Sequence, residues 1–370
     1  MRINIFDVLF YYFIILVWTG VALNSFASIE SFYAFITTSL FLLSLYLLKK
    51  NSKFSLDLMS VDNRVLNTIL AFSICVFVLF YSVSPYGLME SIKFHALDID
   101  KYELRVSVIS VPLYWMYEGV IKLLGCVAII YALKDDYLKS FIAFSIYSIF
   151  YILSVQKYPI GILFLVSFFS FLSFRKISKK IFFILSVFVF FILLYFYTTT
   201  FKEFKIENFS LFYTALINRL SVTSELVLFV YNEFISQGIV LGGGVLPERL
   251  FFIFDLTLFS DESIRLPALV MKMKGGDFGG ANSAFYTEGI AGFGVGFDIL
   301  YILLFYILFF ILVFLTKLLD DGFRIVCLFV FSLNIVNLVN IQMWSILNSC
   351  LFTFLMLWVL CLMSKLRFWK

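Results

Sequence analysis

The chain has 370 residues, of which 62% are hydrophobic and 14% charged, with 28 Lys and Arg against 24 Asp and Glu. A soluble domain carries about 25% charged residues, so a soluble globular class is excluded. A net charge of +4 singles out no polyanion, and nucleic acid is not among the expected partners.

Apolar runs recur from end to end, from "FDVLFYYFIILVWTGVALNSF" near the start to "FTFLMLWVLCLM" near the finish. A spanning helix needs about 20 mostly apolar residues. The chain therefore reads as an all-α polytopic integral membrane protein with about ten transmembrane helices. The first run follows Arg2, and its 22–27 end is only weakly cleavage-like, so it reads as a retained span. Helices are predicted over 5–27, 31–48, 65–84, 107–133, 140–156, 159–174, 181–200, 287–316, 324–340 and 344–363. The pairs 140–156/159–174 and 324–340/344–363 read as tight hairpins. The organisation is then 1–200 with seven helices and short loops, 201–286 as one large outer loop, and 287–370 with the last three helices.

Basic residues cluster at alternate connections: Lys49, Lys50, Lys53 and Arg64; Lys134 and Lys139; Arg175, Lys176, Lys179 and Lys180; Lys317 and Arg324; Lys365, Arg367 and Lys370. Lys and Arg concentrate in short cytoplasmic connections. That rule puts both termini in the cytoplasm and makes the number of spans even. The five cysteines (Cys75, Cys126, Cys327, Cys350 and Cys361) all fall in apolar runs. They read as small hydrophobes, with no disulfide framework or zinc site.

Two outer segments stand apart. The first, 85–106, holds His95, the only histidine, beside Asp98 and Asp100. A DxD suits a divalent cation on a sugar diphosphate, but so short a pattern arises often by chance, and no metal site is assigned. One histidine excludes a multi-His metal centre and argues against a Ser-His-Asp hydrolase. The second, 201–286, is too long for a passive connection. Its "NFSLFYTALINRLSVTSELVLFVYNEFI" stretch has apolar residues at helical spacing, which predicts an amphipathic helix on the membrane surface.

Beyond that helix, 12 of the 18 glycines fall between 237 and 296. Isolated arginines sit among apolar residues at Arg219, Arg249 and Arg265. A guanidinium holds a phosphate with two parallel hydrogen bonds; the alternative is interfacial snorkelling. Within 107–133, Glu118 and Lys122 lie four apart on one helix face. Ionisable groups at membrane depth are functional or paired, and here both readings stand. Lys157 lies in the outer turn "SVQKYPIG" and anchors that end or meets a ligand.

The most distinctive stretch is "GGDFGGANSAFYTEGIAGFGVGF". It sets Asp277, Asn282, Ser283, Tyr286 and Glu288 at the outer mouth of a helix. Its polar residues suit sugar hydroxyls, and Glu288 suits a general base. Its glycines follow no strand, so a nucleotide fingerprint is rejected in favour of close helix packing through small residues.

The many Phe-rich spans, the late outer loop with "LGGGVLPERL", and the "NSAFYTEGIAGFGVGF" re-entry together resemble the O-antigen polymerases, the Wzy family. The likeness is one of layout over the whole chain, with local likeness over about 240–297. It implies a GT-C-like membrane fold with a large periplasmic loop. It also implies a glycosyltransferase of the bacterial inner membrane that joins undecaprenyl-diphosphate-linked repeat units at the periplasmic face. No metal or other cofactor is implied. Membrane lipid is a partner, and a chain-length regulator protein is a possible one.

The family uses periplasmic-loop arginines, and Arg219, Arg249 and Arg265 are the positions that match. Arg265 with Gly276 reproduces an Arg-x10-Gly spacing of some members; no second such motif accompanies it. On this reading Arg219, Arg249, Arg265, Lys122 and Lys157 hold diphosphate. Asp277, Asn282 and Tyr286 hold glycan, and Glu288 or Glu118 deprotonates the acceptor hydroxyl. The alternatives are a lipid-linked oligosaccharide flippase, and an O-antigen ligase or another lipid-carrier glycosyltransferase using the Asp98–Asp100 pair with a metal. A polysaccharide-export or acyl-modification protein is a third; the absence of a histidine within a span weighs against the acyltransferase.

Overall fold

The computed structural model describes residues 3–4, 10–11, 13–50, 55–83, 114–153, 209–238, 241, 269–270, 273, 284–336 and 343–365. Apart from one two-stranded pair and the short turns that join the elements, the described residues are helical. A π-helical turn, Ile14–Trp18, runs into α1 (Thr19–Leu23). The chain reverses and continues as α2 (Ile29–Lys50). Then follow a 3-10 turn (Leu58–Ser60), α3 (Asn63–Val83), α4 (Tyr114–Leu133), α5 (Tyr137–Leu153) and α6 (Phe209–Ser236). The chain closes with α7 (Thr287–Phe293), α8 (Phe297–Leu315), α9 (Asp321–Val336) and α10 (Met343–Lys365).

Five of these helices, within α2, α3, α4, α8 and α10, are long and apolar enough to cross a membrane. That is the signature of a multi-pass membrane protein. The lipid-facing sides are read from exposed Leu43, Leu79, Ile307, Ile311 and Val359, large apolar side chains that stand out of the bundle on these apolar helices. Cys126, Cys327, Cys350 and Cys361 are buried as small hydrophobes, whereas Cys75 is exposed on α3. On an apolar span an outward-facing cysteine meets hydrocarbon, so burial inside the protein is not needed for it to stay dry.

The helices form two packed groups. In one, α3, α4 and α5 pack together and α4 meets α9 and α10. Phe80 sits at its centre, with the Tyr117 ring at 4.9 Å and the Phe150 ring at 5.4 Å. Gly119 allows α4 to approach the Phe352 ring of α10, which would lie 2.7 Å from an added Cβ. In the other group, α6 packs along α1 and α2, and α7 is held between α6 and α8. Contacts of α8 with α10 join the groups.

The helix predicted within 201–286 is present as α6, but it packs along α1 and α2. Gly20 of α1 faces Ser224, whose Oγ would lie 2.0 Å from an added Cβ. Eight residues on in both segments, Ser28 donates to Asn232 Oδ1 at 3.0 Å. The two therefore run side by side in the same direction. The buried face of α6 carries Leu226, Val227, Val230, Tyr231 and Phe234, which explains why a helix with polar residues packs rather than floats.

Among the described residues, the basic connections around 55–64, 134–139 and 317–324 meet at one end of the bundle. Ile3–Asn4 pairs antiparallel with Ser55–Leu56, tying the start of the chain to the 49–64 connection. Lys134 Nζ donates to the Val61 carbonyl and to Asn63. Lys365 bonds Asp320 at 2.8 Å, and Gly322 of α9 lies against Val65 of α3. The predicted spans 159–174 and 181–200 lie outside the described residues.

The predicted single helix over 287–316 is two helices. Gly294 (φ 91°) and Gly296 (φ 93°) break it. Backbone with φ in that range is one that a side-chain-bearing residue rarely adopts, so two glycines two apart convert a continuous apolar pattern into a turn.

Candidate functional site

The segment 284–298 turns into the bundle and back out. Phe285 enters deepest: its ring packs 5.3 Å from Phe41 of α2 and 5.2 Å from Phe305 of α8. The Tyr286 hydroxyl bonds Thr38 Oγ1 at 2.9 Å. Thr38 already donates to the Ala34 carbonyl, so Tyr286 is the donor. By Gly296 the chain is back near the start of α2, where Gly296 N–H donates to the Tyr33 hydroxyl at 3.0 Å. Thr38 lies nine residues into α2, about 14 Å from its start; Tyr33 lies only four in.

Between those points runs α7, seven residues long with Glu288 in its first turn. Its approach to α8 is close because residue 289 is glycine. A Cβ there would lie 2.5 Å from the Phe297 carbonyl oxygen and 2.8 Å from Asp298 N. The small-residue packing expected of these glycines is what Gly289 does.

Glu288 is 3% exposed. It accepts a hydrogen bond from the Met343 N–H at the start of α10. That N–H is one of the four at a helix N-terminus with no partner inside the helix. Oε2 of Glu288 has no hydrogen-bond partner among the described residues. Glu288 lies on α7, which is not one of the five helices long and apolar enough to cross a membrane. Burial pushes its carboxyl up to about 8, and the Met343 N–H works against that shift. A carboxyl that releases its proton near neutral pH suits proton transfer.

Beside α7 is a second buried acid, Asp298, fully enclosed in the first turn of α8. Thr37 donates to Oδ2 at 2.6 Å, Tyr231 to Oδ2 at 2.7 Å and Tyr33 to Oδ1 at 3.0 Å. Its partners come from α2 and α6, so one carboxylate ties three helices together. The N-terminal position in α8 adds the favourable end of the helix dipole. Sequence reasoning passed over Asp298, Tyr33, Thr37, Thr38 and Tyr231. The signal was present: an acid three residues before the run "YILLFYILFF" and a polar patch, "SFYAFITTS", inside a span.

Of the sequence-derived site residues, the structure brings Tyr286 and Glu288 into this cluster. Glu118 and Lys122 lie elsewhere, on α4, where they pair at 3.3 Å with both side chains half-buried. They form the ion pair that their spacing allows, as a charge at depth requires a partner. Lys157, Arg249, Arg265, Asp277 and Asn282, and the side chain of Arg219 on α6, lie outside the described residues. No protein-family model, no curated protein and no solved structure matches the chain.

Proposed function

We propose that the chain is an inner-membrane glycosyltransferase that polymerises polyprenyl-diphosphate-linked repeat units at the outer face of a bacterial membrane. The observation that carries the reading is the in-and-out turn of 284–298, which buries Glu288 with one carboxylate oxygen unclaimed among the described residues. Non-helical backbone within a membrane bundle is tolerated where it is enclosed by protein or faces an aqueous cavity. Broken helices of that kind hold polar substrate groups at depth in other membrane proteins. A glycan hydroxyl donating to Glu288 Oε2 gives that oxygen its missing partner and aligns the proton for abstraction.

The gathering of the described basic connections at one end supports the orientation. With that end in the cytoplasm, residues 24–28 and the Gly294–Gly296 turn stand at the periplasmic end, where lipid-linked repeat units are presented. Arg249 and Arg265 are the proposed cations for the diphosphate leaving group, whose developing charge they offset. Catalysis then needs no metal.

The test is a deletion strain. Loss of a polymerase leaves lipopolysaccharide capped by one repeat unit and lipid-linked repeat units accumulating. Absence of any repeat unit on the core points to a flippase or a ligase and rejects the proposal. Complementation with Glu288→Gln at normal protein level is expected to leave the single-unit phenotype. Full-length polymer from that variant removes Glu288 from the mechanism.

A further inference from the structure

Each flank of the Glu288-bearing helix is pinned to α2, and the two pins are adjacent residues. Thr38 takes the hydroxyl of Tyr286, two residues before Glu288. Thr37 donates to Asp298, two residues beyond the Gly294–Gly296 turn. The pinning is tightened by a closed loop of bonds, since Tyr33 accepts from Gly296 N–H and donates to Asp298 Oδ1. Directly beneath, Gly289 rests on the peptide joining Phe297 to Asp298. Any movement of Asp298 is therefore transmitted through backbone to the residue next to Glu288.

We infer that Asp298 is a positioning residue: through Thr37, Tyr33 and the Gly289 contact it holds the Glu288 carboxyl in the orientation that the proposed glycosyl transfer requires. The inference rests on the function proposed above. Three hydroxyl donors need an acceptor with several lone pairs, which a carboxylate supplies. An amide at that position presents one acceptor oxygen to the same three donors. It keeps the shape of the side chain but not the grip. A purely architectural role has no need of a charged acceptor, because apolar packing of equal volume holds helices together at lower desolvation cost.

The experiment uses the full chain, purified in detergent, with the lipid-linked repeat unit extracted from the deletion strain as substrate. Asp298→Asn is expected to lower kcat about tenfold while KM stays within about twofold. Thr37→Val is expected to lower kcat less. The double variant should be no worse than Asp298→Asn, because both act through one network. Wild-type kcat in Asp298→Asn, or losses that multiply in the double variant, overturn the inference. If Asp298→Asn does not fold, Tyr33→Phe makes the same test, since it removes only the hydroxyl that joins Gly296 to Asp298.

A readout without turnover separates this inference from the proposed activity. The infrared carboxyl band of protonated Glu288, identified by its disappearance in Glu288→Gln, is expected to shift in Asp298→Asn and to stay in place in Lys365→Ala. A band unmoved by Asp298→Asn overturns the positioning role even in a chain that polymerises. A shifted band in a chain that does not polymerise upholds the grip on Glu288 and rejects the activity alone.

Discussion

Replacing Gly289 with alanine isolates the contact on which the in-and-out turn depends. The new methyl would sit 2.5 Å from the Phe297 carbonyl oxygen and 2.7 Å from its carbon, where ordinary contact begins at 3.4 Å. The atoms in the way are backbone, so no side chain can rotate aside, and α7 must retreat from α8 by about 0.9 Å. Overpacking of this kind costs about 1–3 kcal/mol. Alanine returns up to about 1 kcal/mol through helix propensity, leaving a net loss of about 1 kcal/mol at the middle of that range and about 2 kcal/mol at its top. For a chain of 370 residues that lowers the unfolding temperature by about 1–3 °C.

Intrinsic fluorescence during heating in detergent reads the shift, as an apparent midpoint at one fixed scan rate. Gly322→Ala is the internal control. Its Cβ would meet Val65 Cγ2 at 3.0 Å, a methyl at the end of a side chain that yields by a few tenths of an ångström, so no loss is expected. A Gly289→Ala protein as stable as Gly322→Ala would refute the close packing of α7 on α8, and with it the account of how Glu288 is placed.

Three further outcomes are expected. The Glu288 carboxyl binds its proton more tightly folded than unfolded, so stability falls as pH rises from the ordinary carboxyl value towards about 8, at no more than about 1.4 kcal/mol per pH unit; thermal scans at pH 5 to 9 should show this slope flattened in Glu288→Gln, and equal slopes refute it. Lys122→Met strands Glu118 on α4, so it should destabilise more than the Lys122→Met/Glu118→Gln double variant; a double variant worse than the single would mean the 3.3 Å pair is not what keeps these charges in place. In a Cys75→Ala background, an impermeant thiol reagent outside intact spheroplasts should label Phe26→Cys and reach Ser60→Cys and Leu318→Cys only after permeabilisation; the reverse pattern inverts the orientation.

What could be read from the sequence was whatever depends on local pattern. Apolar runs of spanning length predicted the helices at 29–50, 63–83, 114–133 and 343–365 to within a few residues at most described ends, because burying backbone hydrogen bonds in lipid leaves little choice but a helix. Glu118 and Lys122 showed their pairing in their spacing. Glu288 and Tyr286 stood out as polar residues in a glycine-rich stretch at the mouth of a span. The break at Gly294–Gly296 was legible in principle, since glycines two apart favour a turn, but unbroken hydrophobicity on both sides concealed it.

Only the tertiary structure decided which distant residues share an environment. Tyr33, Thr37 and Thr38 of α2, Tyr231 of α6 and Asp298 of α8 lie up to 265 positions apart, and no periodicity relates them. Each is an ordinary residue in its own helix. Together they enclose a carboxylate because burial forces every polar group to find a partner, and the available partners belong to other helices. The same packing drew α6 in along α1 and α2: its amphipathic pattern called for a covering surface, and which surface covered it was settled by the shapes at Gly20 and Ser224 and by the bond between Ser28 and Asn232.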